Sequence, residues 1–167
     1  MEKKVFILIA FVLTVIPALQ AQTAYDRKLD SLYKNTVPQI KPSDLKIKMD
    51  AWRHIVLLDT RAPEEYLVSH IPGAVFVNYN EFKFNDVAQI DRDAEIIVYC
   101  SVGYRSERIG EKLLDMRFTN VKNLYGGIFQ WANEGRPLLN KQKRSTDSVH
   151  TYSRSWSSWL QRGIKVY

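Results

Sequence analysis

The sequence predicts an α/β fold in which helices cover both faces of a central, mostly parallel sheet. Residues 55–59 are a continuous apolar run ended by the acid Asp59, and residues 96–98 are a short run of β-branched apolar side chains, as buried parallel strands are. Helical signals follow both runs: Pro63 suits the start of a helix, and residues 106–116 mix apolar and charged side chains at helical spacing. Strands that alternate with helices in this way are typical of an α/β domain.

The remaining elements are predicted from shorter signals. Residues 25–35 carry apolar side chains at helical spacing, and Pro38 and Pro42 then mark an extended link. Ser43 is a candidate N-cap for a helix that continues to about residue 52. Further along, the pattern predicts a turn at 69–74, a strand at 75–78, a strand within 118–124 and a short helix at 125–131.

The start of the chain has the layout of a secretory signal peptide. Lys3 and Lys4 are followed by an apolar run over residues 5–19 and by the small residue Ala21. We expect cleavage near Ala21 and export to the periplasm or the medium, with no stable membrane anchor after processing. An uncleaved anchor is the alternative, but the run is shorter than the roughly 20 apolar residues of a spanning helix.

Composition limits the remaining possibilities. The length of 167 residues fits one domain with extensions. Cys100 is the only cysteine, which excludes an internal disulfide and any multi-cysteine metal site. An unpaired cysteine is unusual in an exported protein, so Cys100 is a candidate for a reactive thiol. His54 and His150 have no partners at ligand spacing, so we expect no metal site.

The net charge of +6 is concentrated in the last 27 residues. Residues 141–167 hold six basic side chains and only one acid, so the domain before them is close to neutral. This distribution gives little support to nucleic-acid binding, and we expect none. Trp156, Trp159 and Leu160 share one face, and such side chains favour burial. The sequence leaves open whether this tail docks on the domain or binds a partner protein.

Residues 96–106 contain the strongest functional signal. The apolar strand ends at Cys100, a turn containing Gly103 follows, and a helix is expected to start near Ser106. Such a turn can direct several backbone N–H groups to one point, and Arg105 adds positive charge, so the thiolate of Cys100 is favoured. The alternative is a small buried side chain with no chemistry, which is common for a free cysteine.

These residues match the active-site pattern C-x-x-G-x-R-S, and the chain resembles the single-domain rhodanese-like sulfurtransferases. The family's first signature, L-L-D-x-R-x-x-x-E-[FY]-x-x-G-H-I-P-G-A, is matched except at Ser69, where the family has glycine. Its closing pattern, L-x-G-G-[IL]-x-x-W-x-x-x-G-x-P, is matched from Leu124 to Pro137. The resemblance covers residues 40–140, between an N-terminal helical extension at 22–39 and the tail at 141–167.

The resemblance implies the rhodanese-like fold and a sulfur transfer carried by Cys100. A small sulfur-containing anion or persulfide donor would give its sulfur to Cys100, and a thiol or cyanide would accept it. The cysteine carries the group, so no dissociable cofactor is expected. The residues expected to bind substrate, mainly through their backbone N–H groups, are Ser101, Val102, Gly103, Tyr104, Arg105 and Ser106.

Four other matched residues are expected to form a structural network around the site. Asp59, Arg61 and Glu65 supply charges of both signs, and arginine can form bidentate pairs with a carboxylate. His70 is assigned to the turn rather than to catalysis, because no third residue is evident to orient its imidazole.

Two other functions are compatible with the same fold. Rhodanese-fold phosphatases have five residues between the cysteine and the arginine, whereas Cys100 and Arg105 are separated by four, which suits a single sulfur atom. A binding or redox-sensing module with a thiol that does not turn over is the second alternative.

Overall fold

The computed structural model describes residues 24–51 and 54–167, so the predicted signal peptide at residues 1–21 lies outside it. The chain divides into two compact units, one that ends at Leu32 and one that begins at Tyr33. In the first unit, residues 24–32 form helix α1, which confirms the predicted helix but ends it three residues early. No helix within the described part is long and apolar enough to cross a membrane.

The second unit is built on a five-stranded parallel sheet. Its strands are β1 (Gln39–Ile40), β2 (Ile55–Asp59), β3 (Val75–Phe76), β4 (Glu95–Tyr99) and β5 (Val121–Leu124), in the order β1-β5-β4-β2-β3. The helices are α2 (Pro42–Asp50), α3 (Pro63–Val68), α4 (Tyr104–Asp115) and α5 (Gly127–Asn133), with a short 3₁₀ turn at Phe84–Asp86. The predicted α/β fold, a parallel sheet flanked by helices, is confirmed.

The sheet register sets the position of the cysteine. β4 is the middle strand, and its last residue, Tyr99, pairs with Asp59, the last residue of β2. The two strands therefore end side by side, and Thr60 and Cys100 follow them at the same edge. Ile96 and Val98 are fully buried, so β4 is anchored in the core immediately before the cysteine.

Two predicted helix starts are wrong. Helix α2 begins at Pro42, with Lys41 rather than Ser43 at the N-cap position, because proline suits the first helical position. Helix α4 begins at Tyr104 rather than near Ser106, because Gly103 at φ +96° already ends the turn. The link predicted between Pro38 and Pro42 also contains a strand, β1, which pairs with β5.

The tail is docked on the domain, which is one of the two outcomes left open by the sequence. It forms a two-stranded parallel sheet, β6 (Ser148–His150) and β7 (Ile164–Val166), with a 3₁₀ turn at Ser157–Trp159 between the strands. Val149 and Leu160 are buried. The Asn133 side chain at the end of α5 donates to the Trp159 carbonyl at 2.9 Å and accepts from the Gln161 N–H at 2.7 Å.

Candidate active site

Cys100 follows β4 directly and is almost completely buried, with 1% of its surface exposed. Its Sγ accepts a hydrogen bond from the backbone N–H of Gly103 at 3.2 Å. Helix α4 begins at the next residue, so the sulfur lies at the junction of a central strand and a helix N-terminus. Ligands of open parallel sheets bind at this end of the strands, and a helix N-terminus favours a negative charge.

The carbonyl groups of the cysteine loop are all held by hydrogen bonds. The carbonyls of Cys100 and Ser101 accept hydrogen bonds from the start of α5, from the Ile128 N–H at 2.9 Å and the Phe129 N–H at 3.1 Å respectively. The Val102 carbonyl accepts the Tyr33 hydroxyl at 2.6 Å. The Gly103 carbonyl accepts Asn123 Nδ2 at 2.9 Å and the Glu107 N–H at 3.1 Å.

This arrangement determines where the loop N–H groups point. The C=O and the following N–H of a trans peptide point in opposite directions. Because a donor holds each carbonyl of residues 100–103, the N–H group in the same peptide unit is directed away from that donor. Among the described residues, none accepts from the N–H groups of 101, 102 or 104–106, so these donors are available to a bound anion.

Two glycines permit this close packing. Gly127 has φ +55°, and a Cβ there would lie 2.3 Å from the Cys100 carbonyl oxygen. Gly103 has φ +96°, and a Cβ there would lie 2.3 Å from the Tyr33 hydroxyl oxygen. The glycines of the active-site and closing patterns thus let α5 and Tyr33 contact the loop backbone.

Arg105 is paired with Glu65 from the first turn of α3. Arg105 Nη1 and Nη2 each donate to a different Glu65 oxygen at 2.7 Å, a bidentate pair. Ser101 Oγ donates to Glu65 Oε1 at 2.7 Å and accepts from Arg105 Nη2 at 3.0 Å. Burial would raise the pKa of Glu65, but the hydrogen bonds and charge of Arg105 outweigh it and lower that pKa to about 2. Glu65 is therefore ionised and ties both ends of the loop to α3.

The other three predicted network residues hold the segment around α3. Arg61 Nε and Nη2 bind the Asp59 carboxylate, and Nη2 also donates to the Ser69 carbonyl at 2.5 Å. His70 Nδ1 lies 3.2 Å from the Tyr66 carbonyl, and the two rings stack with centroids 4.2 Å apart. The structure thus divides the predicted network, since among these four residues only Glu65 forms hydrogen bonds to the side chains of Ser101 and Arg105.

The side chains of Val102, Tyr104 and Ser106 lie in different surroundings. Ser106 is buried, and its Oγ donates to Asn123 Oδ1 at 2.7 Å. Val102 is buried and Tyr104 is exposed. Within the described residues, no group of His, Cys, Asp and Glu has an arrangement that could hold a metal ion.

Sequence patterns missed three residues around the loop. Tyr33 and Asn123 bind loop carbonyls, and the ring of Tyr152 from the tail lies 5.2 Å from the Arg105 guanidinium carbon. Tyr33 and Tyr152 lie outside the matched patterns and were assigned only to the helical extension and the tail. Asn123 lies one residue before Leu124, where the closing pattern begins, and in a strand that also contains Lys122 its polarity gave no signal of this role.

Comparisons with known proteins show the family of the chain. The family model for the Rhodanese-like domain matches residues 41–134. A sulfurtransferase of Allochromatium vinosum is 28% identical over 103 residues, which cover 62% of this chain and 95% of that protein. The adenylyltransferase and sulfurtransferase UBA4 of Meyerozyma guilliermondii is 37% identical over 86 residues, 47% of this chain but only 20% of that protein.

A solved structure, the thiosulfate sulfurtransferase from Pseudomonas aeruginosa, superimposes with a TM-score of 0.60 at 24% identity, over 76% of this chain and 24% of that one. The chain thus spans about a quarter of several relatives and nearly the whole of the A. vinosum protein. The family match covers more than half of the chain. The chain therefore belongs to the rhodanese-like family, as a single rhodanese-like domain with sulfurtransferase relatives.

Proposed function

We propose that the chain is a sulfurtransferase that moves a sulfane sulfur from a donor such as thiosulfate or a polysulfide to a thiol or cyanide acceptor, through a persulfide on Cys100. The observation that carries the proposal is the loop, in which Cys100 Sγ accepts a hydrogen bond from the Gly103 N–H at 3.2 Å and the N–H groups of residues 101, 102 and 104–106 have no acceptor among the described residues. Converging N–H groups stabilise negative charge on a sulfur. The sulfurtransferase relatives support the same chemistry.

In the first half-reaction, the Cys100 thiolate attacks the outer sulfur of the donor. A new sulfur–sulfur bond forms as the donor's bond to that sulfur breaks, and the donor leaves with the electron pair, as sulfite when the donor is thiosulfate. The thiolate is the reactive form of cysteine. Loop N–H groups would then hold the charge of the terminal persulfide sulfur, and donors fixed in advance need no reorganisation during the reaction.

In the second half-reaction, the acceptor attacks that terminal sulfur. Cyanide leaves as thiocyanate, or a thiolate leaves as a persulfide, and the electron pair of the broken bond returns to Cys100 as a thiolate. Both half-reactions balance without a redox or metal cofactor, since the cysteine carries the group. The proposal accordingly includes none.

Arg105 has two expected roles: it holds the loop in place through Glu65 and Ser101, and it supplies a positive charge. The Glu65 carboxylate compensates its charge, and both of its terminal nitrogens are engaged with Glu65 or Ser101. Burial would lower the pKa of Arg105, but the hydrogen bonds to Glu65 keep it above the ordinary value, so the guanidinium stays charged. We therefore expect the backbone N–H groups to be the main contacts of a small anion.

The test uses mass spectrometry of the protein after treatment with thiosulfate. Wild-type protein is expected to gain the mass of one sulfur atom and to lose it on addition of cyanide, with release of thiocyanate. Cys100→Ser is expected to gain nothing, since a hydroxyl forms no persulfide. Circular dichroism of the variant checks the fold.

The same experiment separates the alternatives. A binding or redox-sensing module would show neither the mass gain nor thiocyanate, and a phosphatase would hydrolyse a phosphate ester instead. Sulfur transfer by folded Cys100→Ser would reject Cys100 as the carrier. Export to the periplasm or the medium stays a prediction from residues 1–21.

A further inference from the structure

Tyr33 contacts the cysteine loop from outside the family-matched region, which begins at residue 41. Its side chain is buried, with 8% of the residue exposed. The hydroxyl donates to the Val102 carbonyl at 2.6 Å and accepts from the Gly126 N–H at 2.9 Å. One hydroxyl therefore joins the cysteine loop to the turn that precedes α5.

The Val102 carbonyl and the Gly103 N–H belong to the same peptide unit. Because that unit is planar, the bond that holds the carbonyl also orients the N–H on its opposite side. This N–H is the donor that meets Cys100 Sγ at 3.2 Å. Gly103 can populate many backbone conformations, so the peptide would otherwise be free to turn its carbonyl toward the sulfur and repel a thiolate.

Val102 differs from the other loop residues in how its carbonyl is held. The Cys100 and Ser101 carbonyls accept backbone N–H groups of α5, and that of Gly103 has two donors. Within the described part of the chain, only the Tyr33 hydroxyl donates to the Val102 carbonyl. Removing that hydroxyl leaves this carbonyl, and no other in residues 100–103, without a hydrogen-bond donor among the described residues.

The segment that carries Tyr33 is fixed to the helix of the active site. The buried Glu107 carboxylate of α4 accepts the N–H groups of Lys34 and Thr36, both at 3.0 Å. The ring also packs edge-on against Tyr125, with centroids 6.1 Å apart. Burial raises the pKa of Tyr33 well above its ordinary value, so the hydroxyl keeps the proton that it donates.

We propose that Tyr33 is a positioning residue for the nucleophile: its hydroxyl fixes the Val102–Gly103 peptide so that the Gly103 N–H stabilises the Cys100 thiolate and persulfide. This role rests on the proposed sulfur transfer. It adds a requirement that the matched patterns lack, a hydroxyl supplied by the segment that precedes the family domain.

The test compares Tyr33→Phe with Tyr66→Phe. Phenylalanine at 33 retains the packing against Tyr125 and loses only the two hydrogen bonds. The control also loses one tyrosyl bond to a backbone carbonyl, the partly buried bond from Tyr66 to Ala74 at 3.1 Å, whose acceptor lies outside the cysteine loop. Thermal melting of both variants measures the loss of stability that the two have in common.

The main readout is the rate of alkylation of Cys100 by iodoacetamide as a function of pH, which needs no sulfur donor. Since a hydrogen bond to a charged acceptor is a strong one, Tyr33→Phe is expected to slow alkylation near neutral pH about threefold to tenfold and to move its pH profile upward. In the thiosulfate–cyanide assay, kcat is expected to fall by a similar factor with little change in KM. Tyr66→Phe is expected to match the wild type in both assays.

Two kinds of outcome would overturn the role of Tyr33, and a third concerns only the proposed function. Alkylation and turnover equal to the wild type would show that the hydroxyl does not orient the loop. Faster alkylation in Tyr33→Phe would show that the hydroxyl restricts access to Cys100 rather than activating it. An equal loss of alkylation rate and turnover in Tyr66→Phe would show that Tyr33 only stabilises the domain. A wild type that alkylates as expected but transfers no sulfur would refute the proposed function and leave the alkylation result to decide the role of Tyr33.

Discussion

Two of the arginine–carboxylate pairs in the second unit have the same chemistry in different surroundings. Arg61 pairs with Asp59 and Arg105 pairs with Glu65, each with a tyrosine ring near the guanidinium. The first pair is completely buried, with both side chains 0% exposed. In the second, Glu65 is buried but 17% of the Arg105 side chain is exposed.

The two pairs connect different parts of the molecule. Arg61 and Asp59 are two residues apart, and the Arg61 bond to the Ser69 carbonyl closes the segment between β2 and the end of α3. Arg105 and Glu65 are forty residues apart and join α3 to the cysteine loop. A buried local pair thus secures the fold, whereas the partly exposed long-range pair secures the reactive segment.

The largest effect is expected from Arg61→Met. It leaves the Asp59 carboxylate buried without its partner, and breaking a buried ion pair costs about 3–5 kcal/mol of unfolding free energy. Urea denaturation measures the loss. In the double variant Arg61→Met/Asp59→Leu no charge stays behind, so we expect much of the stability to return; a double variant as unstable as the single one would contradict this explanation.

A smaller effect is expected at Glu65. Its pKa is about 2 in the folded protein against an ordinary value of 4.5, so folding is favoured by the ionised form. This stabilisation is complete at pH values above the ordinary pKa of 4.5. It is lost as the pH falls from that value to the folded-state pKa of about 2. At about 1.4 kcal/mol per pH unit, it amounts to about 3 kcal/mol.

Glu65→Gln isolates that contribution. The wild type is expected to lose stability to urea between about pH 5 and pH 2 more steeply than the variant, because glutamine does not titrate. The variant is also expected to have lower sulfur-transfer activity at neutral pH, since Arg105 and Ser101 lose their common acceptor. Parallel acid profiles for the two proteins would show that Glu65 does not provide this pH dependence.

The contrast between the pairs also shows which features a sequence reveals. Strands β2 and β4 and the cysteine turn were predictable because their signals are local: short apolar runs, one cysteine and one glycine. The N-cap preference of Ser43 misplaced the start of α2, which Pro42 decides, and the amphipathic run placed the start of α4 two residues after its observed position behind Gly103. Contacts such as Glu65 with Arg105, or Tyr33 with Val102, span forty or more residues and follow only from the folded sheet.

The tail was the least predictable region because its strands are only three residues long and gain their stability from docking. Tyr152 illustrates this. It has φ +65°, unusual for a residue other than glycine, and its N–H donates to His150 Nδ1 at 3.1 Å. The neighbouring Thr151 is fully buried, whereas Tyr152 is 60% exposed and its ring lies beside the Arg105 guanidinium.

The smallest effect is therefore expected from Tyr152→Ala. An exposed cation–π contact contributes about 0.5–1 kcal/mol, so the unfolding free energy should fall by no more than this. Tyr167→Ala is the matched control, because its ring is 55% exposed and lies 5.1 Å from the Arg154 guanidinium, in a pair confined to the tail. Only Tyr152→Ala frees one face of Arg105, so only this variant should change the KM for thiosulfate, by up to about fivefold. Equal KM values in the two variants would show that the tail packs beside the site without influencing it. A loss of unfolding free energy near 3 kcal/mol in Tyr152→Ala would show that the Arg105–Glu65 pair depends on Tyr152 far more than an exposed contact allows.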